Sequence, residues 1–508
     1  MITPPGLSFN FSAPTRRRLA WWAGIAILLF GSGLRFAALV RDARFHPDEA
    51  LFATFARTAA VQGDWLLHGN LDKPPLAIYA SALGMTLFGV TADSAGVLHL
   101  DVYVGEFAAR LPSALAGIAW VAMMMACAHR IYRRNIFTLW VGLFAACSPM
   151  AILFSASAFT DGWLLLWLTA ALWAASGARW VWSGLCLAFA FETKQQGLLY
   201  LPLVLSVGWV LNGFSWRSLI GLLAPTGVGI ALVFAWDSLR TGSPSLFGLA
   251  TANNWPARPV SVESLGTRTA EGLSYARGLL GPATAFFSLM IATFAIRSLF
   301  RRPRTRAMNA DLVFVLFILI YATFHIVSGL NLYDRYGLPL LPPLILLAVR
   351  ASVWAYTLLS RLIMRAEMQL VAVVVALVLL AAGIDAAGGH PGYSGGVGDS
   401  FAQQPAVDEA ADWLADQHIG AVVYDRWLGW QLGYYLGTWS DKRLTYFPDP
   451  ETLTEAALIL DEREPRYLPV PNTADAAPWL DHLSKAGFEV EVAAEVRGIT
   501  IYALTLPG

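Results

Sequence analysis

Charge is scarce in this sequence. Only 14% of its 508 residues are Asp, Glu, Lys or Arg, against about 25% in soluble domains, so a water-soluble globular chain is excluded. The charges cancel, 35 basic against 35 acidic, which removes any bulk attraction to nucleic acid; no nucleic-acid partner is expected. Cysteine is nearly missing. Cys127, Cys147 and Cys186 all lie in apolar runs, where they read as small core residues and not as disulfides or metal ligands. No repeat is evident, the C-terminal part has no Gly-rich phosphate loop, and no His/Cys/carboxylate cluster has metal-ligand spacing. No cofactor and no obligatory metal are expected. Arg16, Arg17 and Arg18 precede a long apolar run without a convincing small-residue cleavage site, so that run is expected to be a retained first helix and not a cleaved signal.

What the chain has is apolar surface. It is 56% hydrophobic with a mean hydropathy of +0.54, and its 20 Trp and 16 Tyr suit residues that favour bilayer interfaces. This is the composition of a polytopic helical membrane protein. A crossing helix needs roughly 20 apolar residues. Eleven stretches are candidates: 19–40, 107–129, 137–153, 161–177, 180–193, 197–211, 217–236, 281–300, 311–329, 337–359 and 369–387. Several are short and need flanking residues or a thinned bilayer. The run from Leu76 to Gly89 is about fourteen residues, a length that favours an interfacial or re-entrant helix.

Arginine positions test that choice. With 76–89 not crossing, Arg130, Arg133 and Arg134, then Arg179, Arg217, the Arg297 to Arg306 cluster, and finally Arg361 and Arg365 all fall on the side of the N-terminal arginines. The positive-inside rule makes that side cytoplasmic. The expected topology is therefore N-terminus inside and C-terminus outside, in the inner or plasma membrane. Segments 41–106, Ser155 to Asp161, 237–280 and Ser328 to Tyr336, with the junction Glu192-Thr193-Lys194, reach the outer face.

Composition shifts near the C-terminus. Residues 1–390 form the membrane part, 391–404 a turn-rich linker, and 405–508 a soluble piece. Val407 to His418, Glu451 to Asp461 and Ala476 to Ala486 read as helices. Ala421 to Tyr424, Tyr467 to Val470, Phe488 to Val492 and Ile499 to Leu504 read as strands. Alternation of the two predicts a small extracytoplasmic α/β domain, read as a structural lid or a docking domain.

Chemistry concentrates in the outer segments, because charge beside a bilayer is expensive to keep. His46-Pro47-Asp48-Glu49 opens a helical stretch with an apolar stripe of Leu51, Phe52, Phe55 and Ala56; acids there serve either as helix caps or as an acid–base pair. In Asp72-Lys73-Pro74-Pro75 two prolines stiffen the backbone that carries a lysine. That lysine either snorkels or binds a lipid phosphate. Thr160-Asp161 is an N-cap pattern, and Lys194 sits between apolar runs. In Tyr333-Asp334-Arg335-Tyr336 the arginine lies at the outer start of a span, where free N–H groups also attract anions. Together, carboxylates and cations on one outer face suit transfer of a group from a lipid phosphate.

At these residues the chain resembles the GT-C glycosyltransferases of the protein-O-mannosyltransferase and lipid A aminoarabinose transferase type. Asp48-Glu49 resembles the acidic pair of their first outer loop, and Asp72-Lys73-Pro74-Pro75-Leu76 the Lys-Pro-Pro turn of that loop. Ala109 to Gly117 resembles the start of the second span, and Asp334-Arg335-Tyr336 with its proline-rich sequel a later one; Thr160-Asp161 and Thr193-Lys194 agree more loosely. The resemblance covers roughly the first 350 residues in family order. It implies a polyprenyl-phosphate-linked sugar donor, an acceptor hydroxyl on protein, lipid or glycan, contact with membrane lipids, and an inverting single displacement on the outer face. It further implies Asp48 as base with Glu49 its neighbour. Lys73 and Arg335 would bind the donor phosphate, with Tyr336, Lys194 and Arg110 beside them, and Asp72, Asp161 and His46 would complete the site. Asp72 stands where relatives often carry Glu, and no metal role is carried over to it. A transporter or flippase of a lipid-linked or anionic substrate is the rival reading, and a non-catalytic envelope scaffold a third; transporters usually show repeats and mid-bilayer charge.

Overall fold

The computed structural model describes residues 13–254, 260–361, 365–389, 406–437, 441–460 and 464–506. The chain divides into two compact units. One comprises Met1–Arg41, Asp64–Ser81 and Arg110–Asp399, the other Asp42–Gly63, Ala82–Ala109 and Ser400–Gly508. The turn-rich stretch 391–404, expected to be a linker, lies outside the described residues.

In chain order the helices of the membrane part are α1 (Ala13–Leu39), α2 (Pro47–Gln62), α3 (Leu76–Phe88), α4 (Val102–Tyr132), α5 (Asn135–Cys147), α6 (Pro149–Ser155), α7 (Asp161–Ser176), α8 (Trp180–Thr193), α9 (Leu201–Asn212), α10 (Trp216–Leu239), α11 (Leu246–Asn254), α12 (Val262–Leu280), α13 (Thr284–Phe300), α14 (Arg306–Val327), α15 (Leu341–Leu359) and α16 (Arg365–Ala387). Each of the eleven apolar stretches falls on one of these helices or on a helix with an adjoining 3-10 turn or partner. Among the described residues, seven helical segments are long and apolar enough to cross a bilayer, and an eighth if α5 and α6 count as one span. The chain is a multi-pass membrane protein. By this measure the expected eleven are not reached, because α7, α8 and α9 have 16, 14 and 12 residues. At about 1.5 Å per residue these fall short of a hydrocarbon layer of about 30 Å.

Local chemistry explains several boundaries. α5 and α6 meet at a bend of 59°, where Pro149 lacks an N–H and forces Ser148 into an extended conformation (φ −63°, ψ 117°). Ser215, Ser261 and Thr305 cap α10, α12 and α14, each accepting an N–H three residues on. α3 has 13 residues, the short helix expected for 76–89. The segment 237–280, expected as a polar outer stretch, is largely helical: α12 continues into α13 as one apolar candidate, Val262–Phe300.

The second unit contains α2, a short antiparallel hairpin of β1 (Val90–Ala92) and β2 (Leu98–Leu100), and the C-terminal α/β domain. That domain runs α17 (Val407–Ala415), β3 (Val422–Asp425), α18 (Gly429–Tyr435), β4 (Arg443–Tyr446), α19 (Pro450–Ile459), β5 (Arg466–Pro471), α20 (Ala477–Lys485), β6 (Glu489–Val496) and β7 (Ile499–Thr505). Strand order is β4-β3-β5-β7-β6, with β3 parallel to β4 and β5, and β7 antiparallel to β5 and β6. Leu453, Leu468, Val470, Trp479, Leu483 and Leu504 close its core. The predicted helices and strands appear near their expected positions. α18 and β4 are additional; both are too short for periodicity to reveal.

Candidate active site

Within the first unit, residues from four distant segments converge. Lys194 follows α8 and donates to Asp161 Oδ1, at the start of α7, across 2.7 Å. This pair is buried, with Lys194 4% and Asp161 1% exposed. The Lys194 ammonium also stands 4.9 Å from the centre of the Tyr336 ring. Arg335 lies over three rings, Tyr333 at 4.8 Å, Phe159 at 5.1 Å and Tyr336 at 5.9 Å. Lys73 pairs with its neighbour Asp72 at 2.6 Å. The two cations Arg335 and Lys73 both repel Lys194, so three positive groups share one region with Asp161 and Asp72. Asp161 Oδ2 is buried and has no hydrogen-bond partner among the described residues.

Two adjacent glutamines tie these segments together. Gln195 Nε2 donates to the Asp72 carbonyl at 2.8 Å, which holds the lysine turn against the end of α8. Gln196 Nε2 donates to the Tyr321 hydroxyl and to the Tyr336 carbonyl, and Tyr321 donates to the same carbonyl at 3.0 Å. The turn is braced on its other side by Arg240, itself 2% exposed. Its guanidinium donates to Leu67 C=O at 2.9 and 3.2 Å, to Gly69 C=O at 2.8 Å and to Asp237 at 3.0 Å. Leu67 adopts φ 55°, a left-handed conformation that is costly for a residue with a Cβ and is held by such bonds. Tyr336 and Asp334 also border a cavity of about 240 Å³ lined mostly by apolar groups of α12, α14 and the turn 332–340. Arg110 is buried on α4.

The acidic pair lies in the second unit, and its members have different surroundings. His46 is the N-cap of α2, and Pro47 fills the first helical position. His46 Nδ1 accepts the Asp48 N–H at 3.1 Å, and Glu49 accepts the His46 N–H at 3.1 Å. This is a capping box with histidine in the Ser/Thr position. Glu49 is fully buried and Asp48 half-buried. Glu49 thus makes the capping bond that the sequence allowed beside acid–base chemistry. Next to the cap, Arg44 lies 3.3 Å from Glu106 and 3.6 Å from Asp408. Burial alone would lower the Arg44 guanidinium, but Glu106, Tyr435, Asp408 and Asp42 more than offset this and push it up.

Among the described residues no group of three or more His, Cys, Asp or Glu is placed to hold a metal ion. Residues that the sequence did not bring forward are Gln195, Gln196, Tyr321 and Arg240. Two glutamines inside an apolar run were a legible signal, since unpaired amides are expensive there.

No protein-family model matches the chain. Over 215 residues it is 26% identical to the undecaprenyl phosphate-alpha-4-amino-4-deoxy-L-arabinose arabinosyl transferase of Edwardsiella ictaluri, a match covering 40% of this chain and 37% of that one. The matched stretch thus spans little more than a third of the curated relative. Similarity of structure extends much further. ArnT from Cupriavidus metallidurans, solved with undecaprenyl phosphate, superposes with a TM-score of 0.61 at 17% identity, covering 97% of this chain and 98% of that one. The oligosaccharyltransferase of Archaeoglobus fulgidus superposes with a TM-score of 0.56 at 13% identity, covering 94% and 72%. The agreement runs through both the helical part and the C-terminal sheet, and the chain has the GT-C glycosyltransferase fold.

Proposed function

We propose that the protein is a membrane glycosyltransferase that moves a sugar from a polyprenyl-phosphate-linked donor to a hydroxyl acceptor on the extracytoplasmic side. The observation that carries this reading is the convergence of the half-buried Lys73, Arg335 and Tyr336 on the buried Lys194–Asp161 pair in a protein of this fold. Cations around Tyr336, which itself borders an apolar cavity, suit a ligand with a phosphate head and a hydrocarbon tail. The curated relative is named for such a donor.

The reaction is a single displacement. Asp48 takes the proton of the acceptor hydroxyl, whose oxygen attacks the anomeric carbon opposite the phosphate. The bond from that carbon to the phosphate oxygen breaks, its electron pair stays on the phosphate, and the configuration inverts. Lys73, Lys194 and Arg335 stabilise the charge that grows on the leaving phosphate. Asp161 compensates the buried Lys194 so that the ammonium persists out of water. Phosphate neutralisation is thus assigned to side chains. Glu49 and His46 build the turn that carries Asp48.

A strain lacking the protein tests this. Its lipid extract should accumulate a polyprenyl-phosphate sugar, the wild-type gene should clear it, and Asp48→Asn should not, although that variant inserts normally. Clearance by Asp48→Asn at the wild-type rate refutes the base assignment. Loss of sugar transport with no transferase activity in the wild type favours the transporter.

A further inference from the structure

The chemistry above leaves the C-terminal domain without a role, yet one of its helices holds the acidic segment by the backbone. α18 is nucleated by Asp425 at the end of β3, whose carboxylate accepts the N–H groups of Leu428 at 2.9 Å and Gly429 at 2.6 Å. Gln431, Tyr434 and Tyr435 stand at i, i+3 and i+4 and so share one face of it. Gln431 Nε2 donates to the Phe45 carbonyl at 2.6 Å, and the Phe45 N–H donates to the Tyr435 hydroxyl at 2.8 Å. Both polar backbone groups of a single residue are taken by one helix face. The Phe45 side chain is fully buried and meets the Tyr434 ring edge-on at 4.7 Å.

The same face is anchored to the start of α4. The Tyr435 hydroxyl donates to Glu106, the carboxylate that also faces Arg44, and Tyr434 donates to Val102 C=O at 2.9 Å. Gly105 lets this happen, because a Cβ there would collide with the Tyr434 hydroxyl. From Phe45 to the acid the backbone is stiff: His46 is bonded on both sides of its cap, and Pro47 has a fixed φ.

We propose that α18 is a backbone clamp, and that Gln431 and Tyr435 are positioning residues which hold Phe45 and thereby aim Asp48. The C-terminal domain is then part of the catalytic apparatus and not a separate docking module. The inference rests on Asp48 being the base. Misplacing a reacting group by about 1 Å costs on the order of a hundredfold in rate.

The test uses full-length Tyr435→Phe, which keeps the ring and removes the hydroxyl that receives Phe45 and reaches Glu106. Membranes from the strain lacking the protein supply accumulated donor and native acceptor, and donor loss is followed at varied membrane load. The expected result is a fall in kcat of about ten- to a hundredfold with KM for donor unchanged within about twofold, because the cation cluster is untouched. Hydrogen exchange at residues 45–49 should quicken while β3 and β5 stay protected. A wild-type kcat, or unchanged protection at 45–49, overturns the clamp. An inactive wild type counts against glycosyl transfer itself, and the exchange measurement still decides the clamp. If β3 and β5 also lose protection, Gln431→Met, which removes the donor to Phe45 C=O, is read by the same criteria.

Discussion

The Asp161–Lys194 pair allows a sharp energetic test. At 2.7 Å and an effective dielectric of about 20, its Coulomb attraction is about 6 kcal/mol, much of it offset by the cost of taking both ions out of water. Removing one partner from a buried pair costs about 3–5 kcal/mol, because the survivor is left uncompensated. The two deletions should differ. Lys194 faces one carboxylate, Asp161, and two further cations, Arg335 and Lys73. Asp161→Asn therefore strands a buried ammonium among like charges, whereas Lys194→Met leaves Asp161 in a region still holding cations. Asp161→Asn should cost near the upper end of the range and Lys194→Met near the lower, and the double variant less than their sum. In a thermal melt of detergent-solubilised protein, at about 1–2 °C per kcal/mol for a chain of this size, the single variants should fall roughly 3–10 °C. The expected order is wild type above Lys194→Met above Asp161→Asn. A reversed order of the single variants, or strict additivity in the double variant, refutes this account of the cluster.

Other expectations follow from the same contacts. Arg240→Ala removes the bonds to Leu67 and Gly69 and should cost about 2–3 kcal/mol; it should raise the donor KM more than it lowers kcat, which steady-state kinetics would show. Glu49→Gln keeps an acceptor for the His46 N–H and should cost about 1 kcal/mol or less in a melt, with activity well above that of Asp48→Asn; equal losses would show that the acids act as a catalytic pair. Burial pushes the Asp425 carboxyl up, against the backbone N–H groups that pull it down. The folded chain thus holds this proton more tightly than the unfolded one, and the stability contributed is full below about pH 3.8 and lost as pH rises through the folded value. Asp425→Asn should therefore improve relative to wild type between pH 3.5 and 7, and melts showing the opposite slope refute the sign.

Much of the fold was legible because its causes are local. The helices of the membrane part follow from runs of apolar residues, and the bend at Ser148-Pro149 follows from a missing N–H. The sheet strands follow from short apolar runs between turns. The helix count by length is lower than the sequence suggested, because α7, α8 and α9 are short, and hydropathy registers composition before length. Candidate residues were legible as types, charges kept where charge is costly, and Lys73, Lys194, Arg335, Asp161 and Tyr336 do come together. The surroundings of Asp48 and Glu49 were not: acids in a first helical turn carry the same signal whether they cap or react, and only the structure shows Glu49 accepting the His46 N–H.

By itself, then, the sequence determined the membrane class, the helical stretches and which ionisable groups were worth keeping beside a bilayer, since transfer free energy is a property of residues in order along the chain. Only the tertiary structure decided partners. Lys194 finds Asp161 across 33 positions and Gln431 finds Phe45 across 386. No local preference encodes such pairings; they exist because packing brings separate helices to the same few ångströms, where an unpaired charge or amide would be too costly to leave.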